Sequence, residues 1–429
     1  MATPFTGLRT LACLVFLGLL TRVMSFDITR KDNLAIYWGQ DGANSQQRLS
    51  FYCQDDTVDT IPLAFLYIFR GTGGDPVIDF ANTCNQWDDS VFPGTALANC
   101  QAAMEADIKT CQSKGKAITL SLGGATGQIG FSSDSQAQQF ATQIWNLFLG
   151  GSSSTRPFGT AVLDGIDLDI ESGTPAHYAA FVTQIRTLAA PTGKKYIITA
   201  APQCPYPDAY IGAALNEADF DAVYVQFYNN YCGLDQPSDY NFATWDNWAK
   251  TTSFNKDVKV YIGAAGSPAA AGTGYVGPNT LAQFAADAQS KYSSFGGVMM
   301  WDADTAYNNN RFDKAVKTAI VASAAKLGAP ARAPPSSSAA PSKTSSATQH
   351  VTESASSHHA SASASKTSAV PVPAPSVTKK IAIADHADGD AAASLAEECA
   401  EESASAAAAA PTPDKEPRAE RANSRFFRL

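Results

Sequence analysis

The chain has 429 residues, 45% of them hydrophobic and 10% aromatic, and a net charge of −9. That length allows one large core with appendages, and the acidic excess argues against nucleic acid as a partner. No stretch has the length of a membrane-spanning helix, so no transmembrane anchor is expected.

Residues 1–25 place Arg9 ahead of the apolar run 11–20. This is the layout of a secretory signal peptide, expected to be cut near Ser25. The mature protein is therefore expected to be secreted, either extracellular or in a cell wall. Export makes the cysteines candidates for disulfides. Cys13 leaves with the signal and Cys399 lies far out in the C-terminal part. Cys53, Cys84, Cys100, Cys111, Cys204 and Cys232 remain; six cysteines allow fifteen pairings, and the sequence does not choose among them.

Strand-like apolar runs then recur at 34–37, 61–68, 117–122, 165–170, 196–200, 222–226, 258–263 and 297–300. Helical stretches at 102–114, 137–149, 176–189, 281–292 and 312–326 lie between or after them, with apolar positions three and four apart. Eight strands over about 270 residues predict an α/β chain folded as a (β/α)8 TIM barrel, over 26–327. A doubly wound sheet is the alternative, but eight evenly spaced strands suit closure better. The strand ends are polar and aromatic: Tyr37-Trp38-Gly39-Gln40, then Gly123-Gly124, then Gln226-Phe227-Tyr228-Asn229, then Trp301-Asp302. Ends of this kind on one rim predict a groove that stacks sugar rings. The paired glycines are expected to let the backbone approach a ligand closely.

From 328 to 429 the composition turns to Ala, Ser, Thr and Pro, which predicts a disordered low-complexity tail suited to dense O-glycosylation. Between 331 and 425 it has no Trp, Tyr or Phe, so no carbohydrate-binding module is expected there.

The fourth strand carries the chemistry. In Leu163-Asp164-Gly165-Ile166-Asp167-Leu168-Asp169-Ile170-Glu171, a period of two puts Ile166, Leu168 and Ile170 on one face and Asp167, Asp169 and Glu171 on the other. A row of like charges on a buried face raises its own pKa values and marks a function rather than a scaffold. A solvated edge strand and a hard-cation site are the blander readings; the latter would need further ligands from other loops. As a graded acid the row makes sense. Glu171 at the strand's C-terminal end is the general acid, Asp169 supplies negative charge beside it, and Asp167 is placed to share a proton with Asp169.

Asp164, Asp167, Asp169 and Glu171 match the D-x-x-D-x-D-x-E signature, so the chain resembles glycoside hydrolase family 18, the chitinases. It is most similar to the plant-type, class III members, through the segments 35–40, 121–124, 163–171, 199–205, 226–230 and 296–301. The resemblance implies a secreted endochitinase that cuts β-1,4 bonds between N-acetylglucosamine units with retention. In that chemistry the substrate's own N-acetyl group is the nucleophile. Glu171 is implied as the acid, Asp169 as the residue steering the acetamide, and Tyr228 as its hydroxyl partner, with Asp167 behind them. Trp301 is implied as the ring under the reacting sugar; Tyr37, Gln40, Gly123, Gly124, Gln226 and Asn229 are expected to bind substrate. It further implies the disulfides Cys53–Cys111, Cys84–Cys100 and Cys204–Cys232, and non-proline cis peptides at Ala64-Phe65 and Trp301-Asp302. No metal and no organic cofactor are implied. The expected partners are chitin or N-acetylglucosamine oligomers, with possible association to cell-wall polysaccharide, and the protein is expected to be a monomer. The alternatives are a non-catalytic chitin-binding lectin or inhibitor on the same barrel, a wall protein whose tail does the work, or activity on peptidoglycan or N-glycan cores.

Overall fold

The computed structural model describes residues 26–330. The expected signal peptide 1–25, Cys13, Cys399 and residues 331–429 of the expected tail lie outside the described residues. Nine strands follow in chain order: β1 (Asn33–Ile36), β2 (Thr60–Ile68), β3 (Val77–Ile78), β4 (Ala117–Gly123), β5 (Gly165–Asp169), β6 (Ile197–Ala200), β7 (Ala222–Gln226), β8 (Lys259–Ala265) and β9 (Phe295–Trp301). All but β3 are parallel, and the pairings of β1 with β2 and with β9 close them into a ring. The fold is the (β/α)8 barrel that the strand spacing predicts. Only β3 is new: it pairs antiparallel with the end of β2, Leu66 opposite Ile78, and two residues are too few to show an alternation.

The helices are α1 (Leu49–Tyr52), α2 (Gln101–Ser113), α3 (Asp134–Phe148), α4 (Tyr178–Ala189), α5 (Gly212–Glu217), α6 (Phe242–Thr251), α7 (Pro278–Lys291), α8 (Ala303–Asn308) and α9 (Phe312–Lys326). The five predicted stretches became α2, α3, α4, α7 and α9. Of the four that were not predicted, α1, α5 and α8 are too short to show a 3.6-residue period. In α6, Phe242, Trp245, Trp248 and Ala249 do form a buried stripe. The starts follow local chemistry. The Ser133 hydroxyl accepts from Gln136 N ahead of α3, and Asp302 and Thr305 form a capping box at α8.

The alternation in β5 sets the two layers. Ile166, Leu168 and Ile170 belong to the large apolar layer between strands and helices. The barrel interior holds a smaller cluster that includes Tyr37, Phe65, Tyr224, Tyr261 and Met299. At the N-terminal end, carboxylates just before three strands receive a backbone N–H from a neighbouring strand. Asp59 accepts from Leu34, Asp164 from Ile118, and Asp221 from Ile198. The first acid of the signature, Asp164, is thus a structural tie, also bonded by Gln112 and Lys194.

Candidate active site

Parallel register puts polar groups at one level across three strands. Ser121 of β4 stands beside Asp167 of β5, and Asp167 beside Thr199 of β6. Asp167, wholly buried, accepts three hydroxyl bonds: from Tyr37 (2.6 Å) and Ser121 (2.7 Å) on Oδ2, and from Thr199 (2.6 Å) on Oδ1. Burial raises its pKa, and the three hydroxyls pull against that rise.

Asp169 lies one level nearer the rim and is 4% exposed. Gln226 Nε2 donates to its Oδ1 at 3.0 Å and to the Ala201 carbonyl at 3.0 Å, which fixes the amide's orientation. Burial, then the charge of Glu171, then that of Asp167 hold Asp169 well above the usual carboxylate range. Glu171, two residues past the end of β5, is also raised by burial, against bonds from Asp169, Gln203 and Gln226. Two neighbouring carboxyls that both resist ionisation titrate as a pair, the charge of one opposing that of the other. The sequence reading placed Asp167 as the partner that shares a proton with Asp169. Here Asp167 accepts three hydroxyl bonds, and the carboxyl bonded to Asp169 is that of Glu171.

Tyr228, just beyond β7, is 6% exposed, and burial and the charges of Asp169 and Glu171 push its hydroxyl pKa far up. It is a neutral donor at any working pH. Trp301, the last residue of β9, stacks on Phe65 (centroids 5.7 Å, planes 21° apart) and meets Tyr37 edge-on at 5.6 Å. The non-proline cis peptides are Ala64-Phe65 and Trp301-Asp302, both as expected.

Other expected site residues face protein. The Gln40 amide nitrogen is shared among the carbonyls of Gly39, Ala64 and Asp79. Asn229 Oδ1 receives Gly272 N and Thr273 N and so holds a loop. Gly123 and Gly124 permit a close approach, but to protein. A Cβ on Gly123, at φ 116°, would lie 2.1 Å from the Asp169 carbonyl oxygen, and one on Gly124 would meet the Phe65 ring at 2.9 Å. Gly123 thus seats β4 against β5, and Gly124 lies against Phe65 of β2.

The structure therefore gathers Asp167, Asp169, Glu171, Tyr228, Gln226, Tyr37 and Trp301 into one site. Gln40, Gly123, Gly124 and Asn229 shape its rim. Sequence reasoning overlooked Ser121, Thr199 and Gln203 as working side chains. Ser121 and Thr199 had a readable mark, as hydroxyls interrupting apolar strands. The three implied disulfides are all present, Cys53–Cys111, Cys84–Cys100 and Cys204–Cys232. Among the described residues no group of three or more His, Cys, Asp or Glu could hold a metal ion, and no helix is long and apolar enough to cross a membrane.

The sequence profile of the glycosyl hydrolases family 18 matches residues 33–291. Chitinase 2 of Rhizopus oligosporus is 52% identical over 284 residues, covering 66% of this chain and 51% of that protein. Endochitinase 33 of Trichoderma harzianum is 42% identical over 313 residues, covering 69% of this chain and 94% of that one. The crystal structure of ICChI chitinase from Ipomoea carnea superposes with a TM-score of 0.58 at 33% identity, covering 67% of this chain and 99% of its own. The chain spans about half the length of some of the curated relatives it matches.

Proposed function

The chain belongs to the glycosyl hydrolases of family 18, and from that premise we propose that it is a secreted endochitinase cutting β-1,4 bonds between N-acetylglucosamine units. One observation supports the reading: Asp169 and Glu171 lie together in a buried site where burial raises both carboxyls, with Tyr228 beside them.

With a proton on Glu171, its hydroxyl protonates the glycosidic oxygen and the leaving sugar departs with that proton. The substrate's acetamide oxygen attacks its own anomeric carbon and closes an oxazolinium ring. Asp169, now the carboxylate, accepts the acetamide N–H and balances the positive charge. The Tyr228 hydroxyl donates to the acetamide oxygen and orients it. Water then attacks the anomeric carbon from the side the leaving group left, breaking its bond to the acetamide oxygen, so the ring opens and the N-acetyl group is restored. The water's proton passes to the Glu171 carboxylate, which restores the starting state, and configuration is retained. No second carboxylate acts as nucleophile, as in other substrate-assisted glycosidases. Trp301 forms the apolar floor under the reacting sugar, with Phe65 and Tyr37 packed behind it.

The test is Glu171→Gln, assayed on chitin oligomers with product anomers followed by NMR. The expected result is a loss of at least about 10² in turnover with oligomer binding kept. The wild type should release the β-anomer first. Near-wild-type turnover in the variant would end the assignment of the acid. An initial α-anomer would end the retaining mechanism.

A further inference from the structure

Glu171 is touched from a third strand by a residue outside the expected set. Gln203 lies just past the end of β6, and its Nε2 stands 3.4 Å from Glu171 Oε2. Its backbone is pinned. Gln203 N donates to the buried carboxylate of Asp208, and residue 203 bridges to Gln226 of β7. Cys204, the next residue, is bonded to Cys232.

The orientation of its side-chain amide is also set, through a short relay. Asn230 Nδ2 faces the backbone carbonyl of Tyr228 at 3.4 Å, and a carbonyl can only accept. The same nitrogen donates to Gln203 Oε1 at 3.2 Å. The Gln203 oxygen is thereby committed to Asn230, and its NH2 is turned to Glu171. A backbone carbonyl next to one site residue thus decides which end of an amide meets another.

We propose that Gln203, locked by Asn230, is a positioning residue of this site: it presents a donor to Glu171 and favours the carboxylate that remains once the acid has given up its proton. The inference rests on the role of Glu171 proposed above. The group must be an acid in one step and a base in the next. Burial makes its charged form costly, as does the neighbouring charge of Asp208 on the loop after β6, while Asp169 on β5 bonds it and pulls the other way. Tyr228, beyond β7, is neutral. A donor of fixed polarity offsets part of the cost, and a rotating amide or a water would not do so in every turnover. Gln226 on β7 makes a parallel case: its NH2 is held by the Ala201 carbonyl and donates to Asp169. Each of the two amides therefore has its orientation set by a main-chain carbonyl, Gln226 directly and Gln203 through Asn230.

The test uses Gln203→Met, which keeps length and removes the donor, and Asn230→Asp, which offers Gln203 only an acceptor and turns its NH2 away from Glu171. The pH profile of kcat/KM is measured on chitin oligomers with a chromogenic leaving group. The carboxyl 13C shift of Glu171 is followed in the same proteins without substrate. Q203M should move the alkaline limb, and the 13C titration, upward by about one pH unit, with roughly a tenfold fall in kcat/KM. N230D should move both in the same direction, and most of that shift should vanish in the Q203M background. A Q203M protein whose 13C titration stays at the wild-type position overturns the proposal. So does an N230D shift undiminished in the double variant, which would mark a plain charge effect. A wild type inactive on chitin oligomers would instead sink the functional reading, while the 13C titration still decides this one.

Discussion

Asp302 illustrates what burial does to a single carboxyl on this rim. It caps α8 through Thr305 N, it is 2% exposed, and burial lifts its pKa to about 6. Its folded value is above its ordinary one, so the stability it contributes is complete in acid and lost as pH rises through about 6. Asp302→Asn keeps a good cap and removes the titration. The stability of the wild type minus that of the variant should therefore fall between pH 4 and pH 7, by up to about 3 kcal/mol. Urea midpoints at the two pH values measure it, and a flat difference would refute it. Tyr228→Phe tests the site itself. If its hydroxyl orients the acetamide oxygen, removing it costs about 3 kcal/mol at the transition state, or roughly 10² in rate. The ring remains, so KM should change far less than kcat. A variant that turns over like the wild type would make Tyr228 a packing residue only. Oligomers with no acetyl group at the cleavage site should resist even the wild type.

At the level of elements, β5 is held from both sides. Its inward face makes the hydroxyl bonds of Asp167 and its outward face packs against the helices. Leu168 is fully buried in that outer layer. Leu168→Ala should cost about 2–5 kcal/mol in unfolding free energy, visible as a lower urea midpoint. It should also depress activity, because Asp167 and Asp169 flank it in the strand. The loops after β6 and β7 form another unit. Cys204–Cys232 closes a span of 28 residues between them and holds Gln203 near Asn230 and Tyr228. Replacing both cysteines by serine should destabilise the protein by about 3–4 kcal/mol. If the bridge also sets the site, kcat at 20 °C should fall well before any unfolding is seen by circular dichroism. An unchanged kcat would restrict it to stability.

For the whole molecule, the barrel is closed near the chain's own entry and exit. Lys317 of α9 bonds Asp59 ahead of β2 and the Asp32 carbonyl, and the Arg30 guanidinium reaches the Pro330 carbonyl. The folded chain thus continues a few residues past the expected boundary at 327, because Gly328 and Ala329 still bond back to α9. A chain cut after Pro330 should keep its melting temperature and its full rate on soluble oligomers, since the tail's composition supplies no apolar core. A cut at 327 should lower the melting temperature by removing the Arg30 contact. A large loss of stability on cutting after Pro330 would mean that the tail takes part in the fold.

The barrel and its acid row were legible in the sequence because both depend on local periodicity. Alternation in one strand needs no knowledge of neighbours, and it put Asp167, Asp169 and Glu171 on one face. What lay beyond the sequence depends on register between strands and on the direction of hydrogen bonds. Ser121 and Thr199 reach Asp167 only because β4, β5 and β6 align at that level. Gly123 and Gly124 lie close against β5 and Phe65, which only the packing distances reveal. Asp167 accepts hydroxyls from Tyr37, Ser121 and Thr199, three distant segments, while Asp169 is bonded to Glu171. Spacing in a chain records which faces residues share. Which donor fills which acceptor is decided only when distant segments meet.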